Sequence, residues 1–425
     1  MSILIMTVGT GRNRQDIAKA LLFSIEKHQP GNIVFFCSTK TVSETIPLLE
    51  DSLRTKTLKY EVVELPNEDD VQYLYGQYLD YLKQKGNPEE MIVDFTSGTK
   101  AMTAAMFAAA VALEAGQVSY ITGPRDETGR VIESTAVETI CPVQVYAERQ
   151  IERARLLFNK LDFVAAMELT DTLRRILPEG PLKQRAKTIW MLSTAYDYWE
   201  RFCWKEAANI LKKAASPGEN LSGIDLTQLM NQAEFIRGVI KEEWGARRLV
   251  ELLLNARRRL VQGRLDDALS RMYRAYEYLA QVCLRQHELD TSKITPSNLS
   301  RYNVSATTIE RLARKPQSAD GTVKLGLREA IELLAELKDN LGLKLVSLYW
   351  NCPFDPNKPP SANKDSGPLK NWLESRNNSF LAHGSTPIGE QTVKSLLNTY
   401  EVLLHSYIPG PEYENMVRNG TFIAL

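Results

Sequence analysis

The stretch EMIVDFTSGTKAMTAAMFAAAVALEAG, residues 90–116, decides the fold. Its first six residues form a short apolar run of the kind a buried strand carries. Thr96-Ser97-Gly98-Thr99 then offers small and hydroxyl-bearing residues, closed by Lys100. From there an alanine-rich segment of high helix propensity runs to Gly116. Directly behind it QVSYITG reads as another strand. Strand, tight turn, helix, strand is the repeating unit of a parallel sheet with crossover helices.

Working outward, the same grammar recurs. SILIMTV is a continuous β-prone run, followed by GTG and then the helical segment RQDIAKALLFSIEKH, which Pro30-Gly31 closes. NIVFFCS and KYEVVEL are two further strand-like runs, and TGPRDETGRVI reads as a hairpin. Buried apolar strands alternating with helices predict an α/β amino-terminal domain over residues 1–145, Rossmann-like, with a mostly parallel, doubly wound sheet. From residue 146 the strand signal vanishes. Residues 146–245 read as a helical linker region and 246–425 as a second helical region, an all-α carboxyl-terminal half. The polar, proline-rich NCPFDPNKPPSANKDSGP interrupts the latter as an exposed loop. Three turn-like kernels, KLDFVAA, RFCWKEAA and GRLDDAL, are unevenly spaced, which predicts helical hairpins and not a repeat array.

The bulk properties narrow the function classes. A length of 425 residues suits two or three domains. Lys+Arg and Asp+Glu both stand at 52, so the formal net charge is zero, which argues against a protein that coats nucleic acid by global charge. The five cysteines are scattered without a C-x-x-C pair, the pattern of a reduced, cytoplasmic protein without a thiolate metal site. The opening MSILIMTVGT has no basic region and no cleavage site, and AMTAAMFAAAVAL is too short to span a bilayer. The expectation is a soluble, intracellular protein.

Two strand-to-helix turns carry the ligand signal: Gly9-Thr10-Gly11 and Ser97-Gly98-Thr99-Lys100. Backbone N–H groups are free at such turns and the helix dipole favours an anion. Open α/β sheets bind ligands at this edge. The hydroxyls of Thr10, Ser97 and Thr99 can donate, and Lys100 adds charge. GTGRNR has arginine where G-x-G-x-x-G needs its third glycine, and SGTK lacks the leading glycine of G-x-x-x-x-G-K-[ST]. Neither a nicotinamide dehydrogenase nor a Walker-type ATPase is therefore favoured. Two well-capped tight turns with no ligand remain the alternative.

The combination resembles the CARF domain, the ligand-sensing domain of CRISPR-associated accessory proteins in type III systems. The resemblance covers the first third of the chain and rests on TVGTG, FFCSTKT and DFTSGTKAM. It implies a homodimer that binds a cyclic oligoadenylate across its two-fold axis, cyclic tetra-adenylate being the ring favoured. Gly9, Thr10 and Gly11 would touch the ring from one turn, Ser97, Gly98, Thr99 and Lys100 from the other, with Ser38 and Thr39 flanking.

The far end of the chain holds RNNSFLAHG, residues 376–384, in a protein with four histidines. The helix GPLKNWLESRNNSFLAH is predicted to run from Pro368 to just before Gly384. Its stripe of Leu369, Leu373, Arg376, Phe380 and His383 would place Arg376 and His383 on one face. A satisfied structural histidine is one reading. The other follows from resemblance: CARF domains are commonly joined to HEPN domains, helical ribonucleases identified by R-x4-6-H with a polar residue after the arginine. Here those are Arg376, Asn377 and His383, and DDALSRMYRAYEYLAQVCL resembles the long amino-terminal helix of HEPN domains.

The resemblance implies an allosterically activated endoribonuclease acting on single-stranded RNA in antiviral defence, with two motifs lining one cleft of the dimer. The chemistry suits these residue types. His383 can exchange a proton near neutral pH, Arg376 can stabilise phosphorane charge, and Asn377 can orient the histidine or the phosphate. No carboxylate cluster stands nearby, so the expected cleavage needs no metal and leaves a 2′,3′-cyclic phosphate. The arginines of NARRRLVQGRL, with Arg247, Arg248, Arg271 and Arg274, either guide RNA or form a solvated helix face. A sensing regulator without nuclease activity, binding protein or nucleic acid through its helical half, is the alternative for the whole chain.

Overall fold

The computed structural model describes the chain except residues 1, 12–13, 125–126, 128–133, 217, 219–220, 222, 353–354, 356–365 and 380–383. Two compact units emerge, residues 1–153 with 169–186, and residues 154–168 with 187–425.

The first unit is built on six strands: β1 (Ile3–Val8), β2 (Asn32–Ser38), β3 (Lys59–Leu65), β4 (Met91–Asp94), β5 (Gln117–Thr122) and β6 (Ala136–Ile140). Their order is β3-β2-β1-β4-β5-β6, parallel except for the antiparallel β5–β6 pair. The hairpin predicted at TGPRDETGRVI, residues 122–132, lies mostly outside the described residues; the antiparallel partner of β5 is β6, which begins beyond that stretch at Ala136. Helices α1 (Arg14–His28), α2 (Thr39–Glu44), α3 (Pro47–Thr55), α4 (Val71–Gln84) and α5 (Lys100–Ala112) accompany the sheet. Both faces are covered because the strands are apolar in both directions. Leu4, Met6 and Val8 pack with α1 and α3, while Ile5 and Val93 pack with α4 and α5. The chain order reverses between β1 and β4. Ligands of open α/β sheets sit at such a switch point, beyond the carboxyl ends of the strands.

The remaining helices are α6 (Val143–Asn159), α7 (Phe163–Ile176), α8 (Pro181–Glu200), α9 (Trp204–Ala214), α10 (Leu226–Lys241), α11 (Ala246–Val261) and α12 (Leu265–Gln286). They continue with α13 (Ala306–Ala313), α14 (Leu327–Glu336), α15 (Asn340–Trp350), α16 (Pro368–Asn377), α17 (Glu390–Tyr407) and α18 (Gly410–Gly420). Three of their turns are the kernels noted above, and they share one geometry. Leu161, Phe202 and Gly263 are left-handed, with φ of 62°, 62° and 70°. Each donates its N–H three residues back, and the following residue donates five back (Asp162 to Leu157, Cys203 to Tyr198, Arg264 to Arg259). This is the Schellman closure, which satisfies carbonyls that the helix end leaves open.

The arginine run divides within the second unit. Arg258 and Arg259 point inward, and both pair with Glu200; Arg258 also donates to Glu251 at 2.7 Å. The Arg258 guanidinium lies 4.1 Å from the Phe422 ring centroid. Burial pushes the Glu251 carboxyl up to about 7, against the opposing pull of Arg258. Arg257 pairs with Glu401 at 2.5 Å. These three arginines are committed to ion pairs, two of them buried, which corrects both readings of this part of the run, an RNA guide and a solvated helix face.

Candidate functional site

At the switch point the two predicted turns are in contact. The Gly9 N–H donates to Ser97 Oγ at 2.9 Å, and the Thr7 hydroxyl donates to the Ser97 carbonyl. A Cβ on Gly9 would lie 2.7 Å from the Gly98 nitrogen, so no side chain fits there. Gly98 has φ +122°, a conformation that L residues rarely adopt. The parallel register sets Val8 beside Cys37, which brings Ser38 next to Gly9. Thr45 closes the same corner with a bond to the Gly9 carbonyl at 3.3 Å. Gly9, Thr10, Gly11, Ser38, Thr39, Ser97, Gly98, Thr99 and Lys100 thus form one strip along the strand ends.

Not every group in that strip is free. The Thr99 hydroxyl caps α5 by accepting the Met102 N–H at 3.1 Å and donates to the Glu68 carbonyl at 2.6 Å. Its expected role as a donor to a ligand is therefore corrected: it builds the turn. The Thr39 hydroxyl is likewise taken, by Glu64 at 2.6 Å. The N–H groups of Gly98 and Thr99 find no partner among the described residues. Lys100 is exposed and makes no ion pair among them. The strip can therefore offer N–H groups, one cationic side chain and the hydroxyls of Thr10 and Ser97 to an anionic ligand.

Beneath the turn lies a polar cluster that the sequence reading did not find. Buried Asp94 ends β4, accepts the Thr96 N–H at 2.9 Å and the Ser24 hydroxyl, and faces Ser119. His28 bonds Ser119 at 2.9 Å, and burial lowers its pKa although Asp94 pulls the other way. The signal was the aspartate at the end of an otherwise apolar strand.

In the second unit α16 ends at Asn377, not just before Gly384 as predicted. The reason is local: Asn377, Asn378 and Ser379 have side chains that compete for backbone bonds, and the Ser379 hydroxyl bonds the Arg376 carbonyl at 2.9 Å. The chain then returns, with Gly384 N–H to the Ser379 carbonyl at 3.1 Å and Thr386 N–H to the Asn378 carbonyl at 3.0 Å. A Cβ on Gly384 would lie 2.0 Å from the Asn378 carbonyl oxygen, so this return requires glycine. His383 itself lies outside the described residues, as does Phe380. The one-face argument holds for Leu369 and Leu373, both buried, and for Arg376.

Arg376 is half-buried in the last turn of α16. Its guanidinium lies 5.3 Å from the centroid of the Tyr273 ring on α12, and it donates to Asn377 Oδ1 at 3.3 Å. It has no carboxylate partner among the described residues. Beside it opens a cleft of about 390 Å³, lined by its neighbours Tyr273 and Asn377, by the cations Arg328 and Lys370, and by the carboxylates Glu329 and Glu374. A cation without a counter-carboxylate at the rim of such a cleft is available to an anion. Tyr273 was visible in RMYRAYEY, but nothing in the sequence linked it to Arg376. Among the described residues no group of three or more His, Cys, Asp or Glu could hold a metal, and no helix is long and apolar enough to cross a membrane.

Comparison with known proteins bears on the middle of the chain and on the fold of the whole. Residues 146–240 match the model of the Csm6 6H domain, and residues 237–349 that of the Csm6 HEPN domain. Among solved structures, Csm6 of Enterococcus italicus, bound to cyclic hexa-2′-fluoro-hexa-dAMP, shares the fold at a TM-score of 0.62. It is 13% identical, and the likeness covers 99% of this chain and 98% of that one. No curated protein matches. A parallel sheet with an open switch point, an all-helical half and two adjoining Csm6 domain matches agree on one conclusion: the chain belongs to the CRISPR-associated CARF–HEPN proteins of type III systems.

Proposed function

We propose that this chain is a metal-independent endoribonuclease of antiviral defence, switched on by a cyclic oligoadenylate and acting as a homodimer. Residues 1–145 sense the ligand, 146–245 connect, and 246–425 cleave single-stranded RNA. The observation that carries the catalytic half is Arg376, held over Tyr273 with no carboxylate partner among the described residues. The match of residues 237–349 to the Csm6 HEPN domain supports the reading.

In this mechanism His383 accepts the proton of the RNA 2′-OH as that oxygen attacks the neighbouring phosphorus. Arg376 stabilises the added negative charge on the nonbridging oxygens, and Asn377, bonded to it, fixes its orientation. The P–O5′ bond breaks, leaving a 2′,3′-cyclic phosphate and a 5′-hydroxyl. The departing oxygen needs a proton, which the second motif of the dimer supplies. For the sensor, the open N–H groups of Gly98 and Thr99 and the charge of Lys100 suit a phosphate-linked ring. The ring size proposed from the sequence is four, whereas the Enterococcus italicus protein holds a six-residue analogue. The deciding experiment incubates a labelled single-stranded RNA with the protein, with and without cyclic tetra- or hexa-adenylate, in EDTA. Ligand-dependent cleavage ending in cyclic phosphate is expected. Ligand binding without cleavage would leave a sensing regulator in its place.

A further inference from the structure

Three arginines that do not turn inward converge elsewhere. Arg248 of α11 and Arg271 and Arg274 of α12 share a groove of about 370 Å³ with Phe202, Trp204 and Tyr278. Each guanidinium faces a ring: Arg248 lies 5.3 Å from the Trp204 centroid, Arg271 5.6 Å from Phe202, and Arg274 5.1 Å from Tyr278. Phe202 and Trp204 meet edge to face at 5.8 Å. No carboxylate lines the groove; Asp267 and Glu277, the partners of Arg271 and Arg274, lie outside its lining. Arg248 is anchored by the Val239 carbonyl at 2.7 Å and has no carboxylate partner among the described residues.

Phe202 is the telling residue. It occupies the left-handed position of its Schellman turn, where the matching turn between α11 and α12 has Gly263. A bulky residue is disfavoured at positive φ, although Leu161 stands at the same position of the α6–α7 turn, and the Phe202 ring remains 38% exposed. The Trp204 indole N–H has no acceptor among the described residues. Of the three rings Phe202 is exposed, Trp204 half-buried and Tyr278 buried against Trp244, so the open edge of the groove is Phe202 and Trp204 beside guanidiniums. Single-stranded nucleic acids use such surfaces, rings stacking on bases and cations tracking phosphates.

We propose that this groove is an accessory binding site for single-stranded RNA, separate from the cleft at Arg376 and feeding it. The two lie on neighbouring faces of α12, because Tyr273, under Arg376, is the residue before Arg274. The proposal rests on the ribonuclease reading for the identity of its ligand.

The test uses the full chain carrying Arg376→Ala, which keeps RNA intact, and a fluorescent 20-nucleotide single-stranded RNA read by anisotropy. Adding Phe202→Ala is expected to weaken binding roughly five- to a hundredfold, with Phe202→Tyr restoring it. Adding Arg274→Ala should lower the slope of log affinity against log salt by about 0.7. Unchanged affinity in both variants overturns the proposal. So does a change in oligomeric mass, by light scattering, with RNA affinity unaltered, which would make the groove a protein interface. Absence of RNA cleavage by the unmutated chain would sink the ribonuclease reading alone, since the binding arm does not depend on turnover.

Discussion

The sheet unit and the helical unit hold their candidate chemistry in opposite ways. At the sheet edge it is backbone that is presented: two glycine turns in contact, with N–H groups that find no partner among the described residues. In the helical unit it is a side chain, an arginine at the end of α16 over a tyrosine of α12. Stability divides the same way. The sheet is closed by apolar faces, whereas the helices enclose the charged set Arg258, Arg259, Glu200 and Glu251. A backbone site tolerates loss of one side chain and fails on loss of conformation. A side-chain site does the reverse.

The sharpest way to break this contrast lies in the helical unit. Arg376→Ala or His383→Ala should each lower RNA cleavage by at least about a hundredfold while ligand binding persists. Wild-type rates in either variant would remove the HEPN chemistry altogether.

Next in size is the buried charge. Glu251 titrates at about 7 in the folded protein against an ordinary 4.5, so the folded chain holds the extra proton between those values. Its contribution to stability therefore falls as pH rises through that window. Glu251→Gln should flatten the dependence, gaining on the wild type between pH 5 and 7.5 in thermal melts. Parallel curves for the two proteins would mean the carboxyl is held charged by its arginines.

At the sheet edge the effects should be about tenfold on ligand affinity by calorimetry. Gly98→Val, which strains φ +122° and crowds Met102 at 3.2 Å, should cost more than Lys100→Ala. The reverse order would make this a side-chain site like the other. The smallest effect separates a shared cleft from two independent ones. A dimer pairing one wild-type with one His383→Ala subunit should keep much less than half of full activity; a value near half would show each histidine working within its own chain.

Much of the sheet was legible because parallel strands buried on both faces must be continuous apolar runs. NIVFFCS and KYEVVEL match β2 and β3 residue for residue. The two glycine turns were legible too, since each stands directly between a strand-like run and a helical one; that they touch each other was not. Helix α16 was misjudged at its end because a hydrophobic stripe can outrun a helix that Asn-Asn-Ser terminates. The fate of the arginines could not be read locally: whether one faces solvent or core depends on Glu200, in a different helix. For the same reason Tyr273 and Phe202 stayed unassigned until the helices were folded together.

The contact between Gly9 and Gly98 has a mechanical consequence. With 2.7 Å between the place of a missing methyl group and the opposite backbone, the two turns have no slack and cannot close on a ligand like jaws. A ring that binds there finds a socket already at its final width. Whatever work the ligand does on the protein must therefore appear as displacement of the β1 and β4 ends together, as one stiff lever.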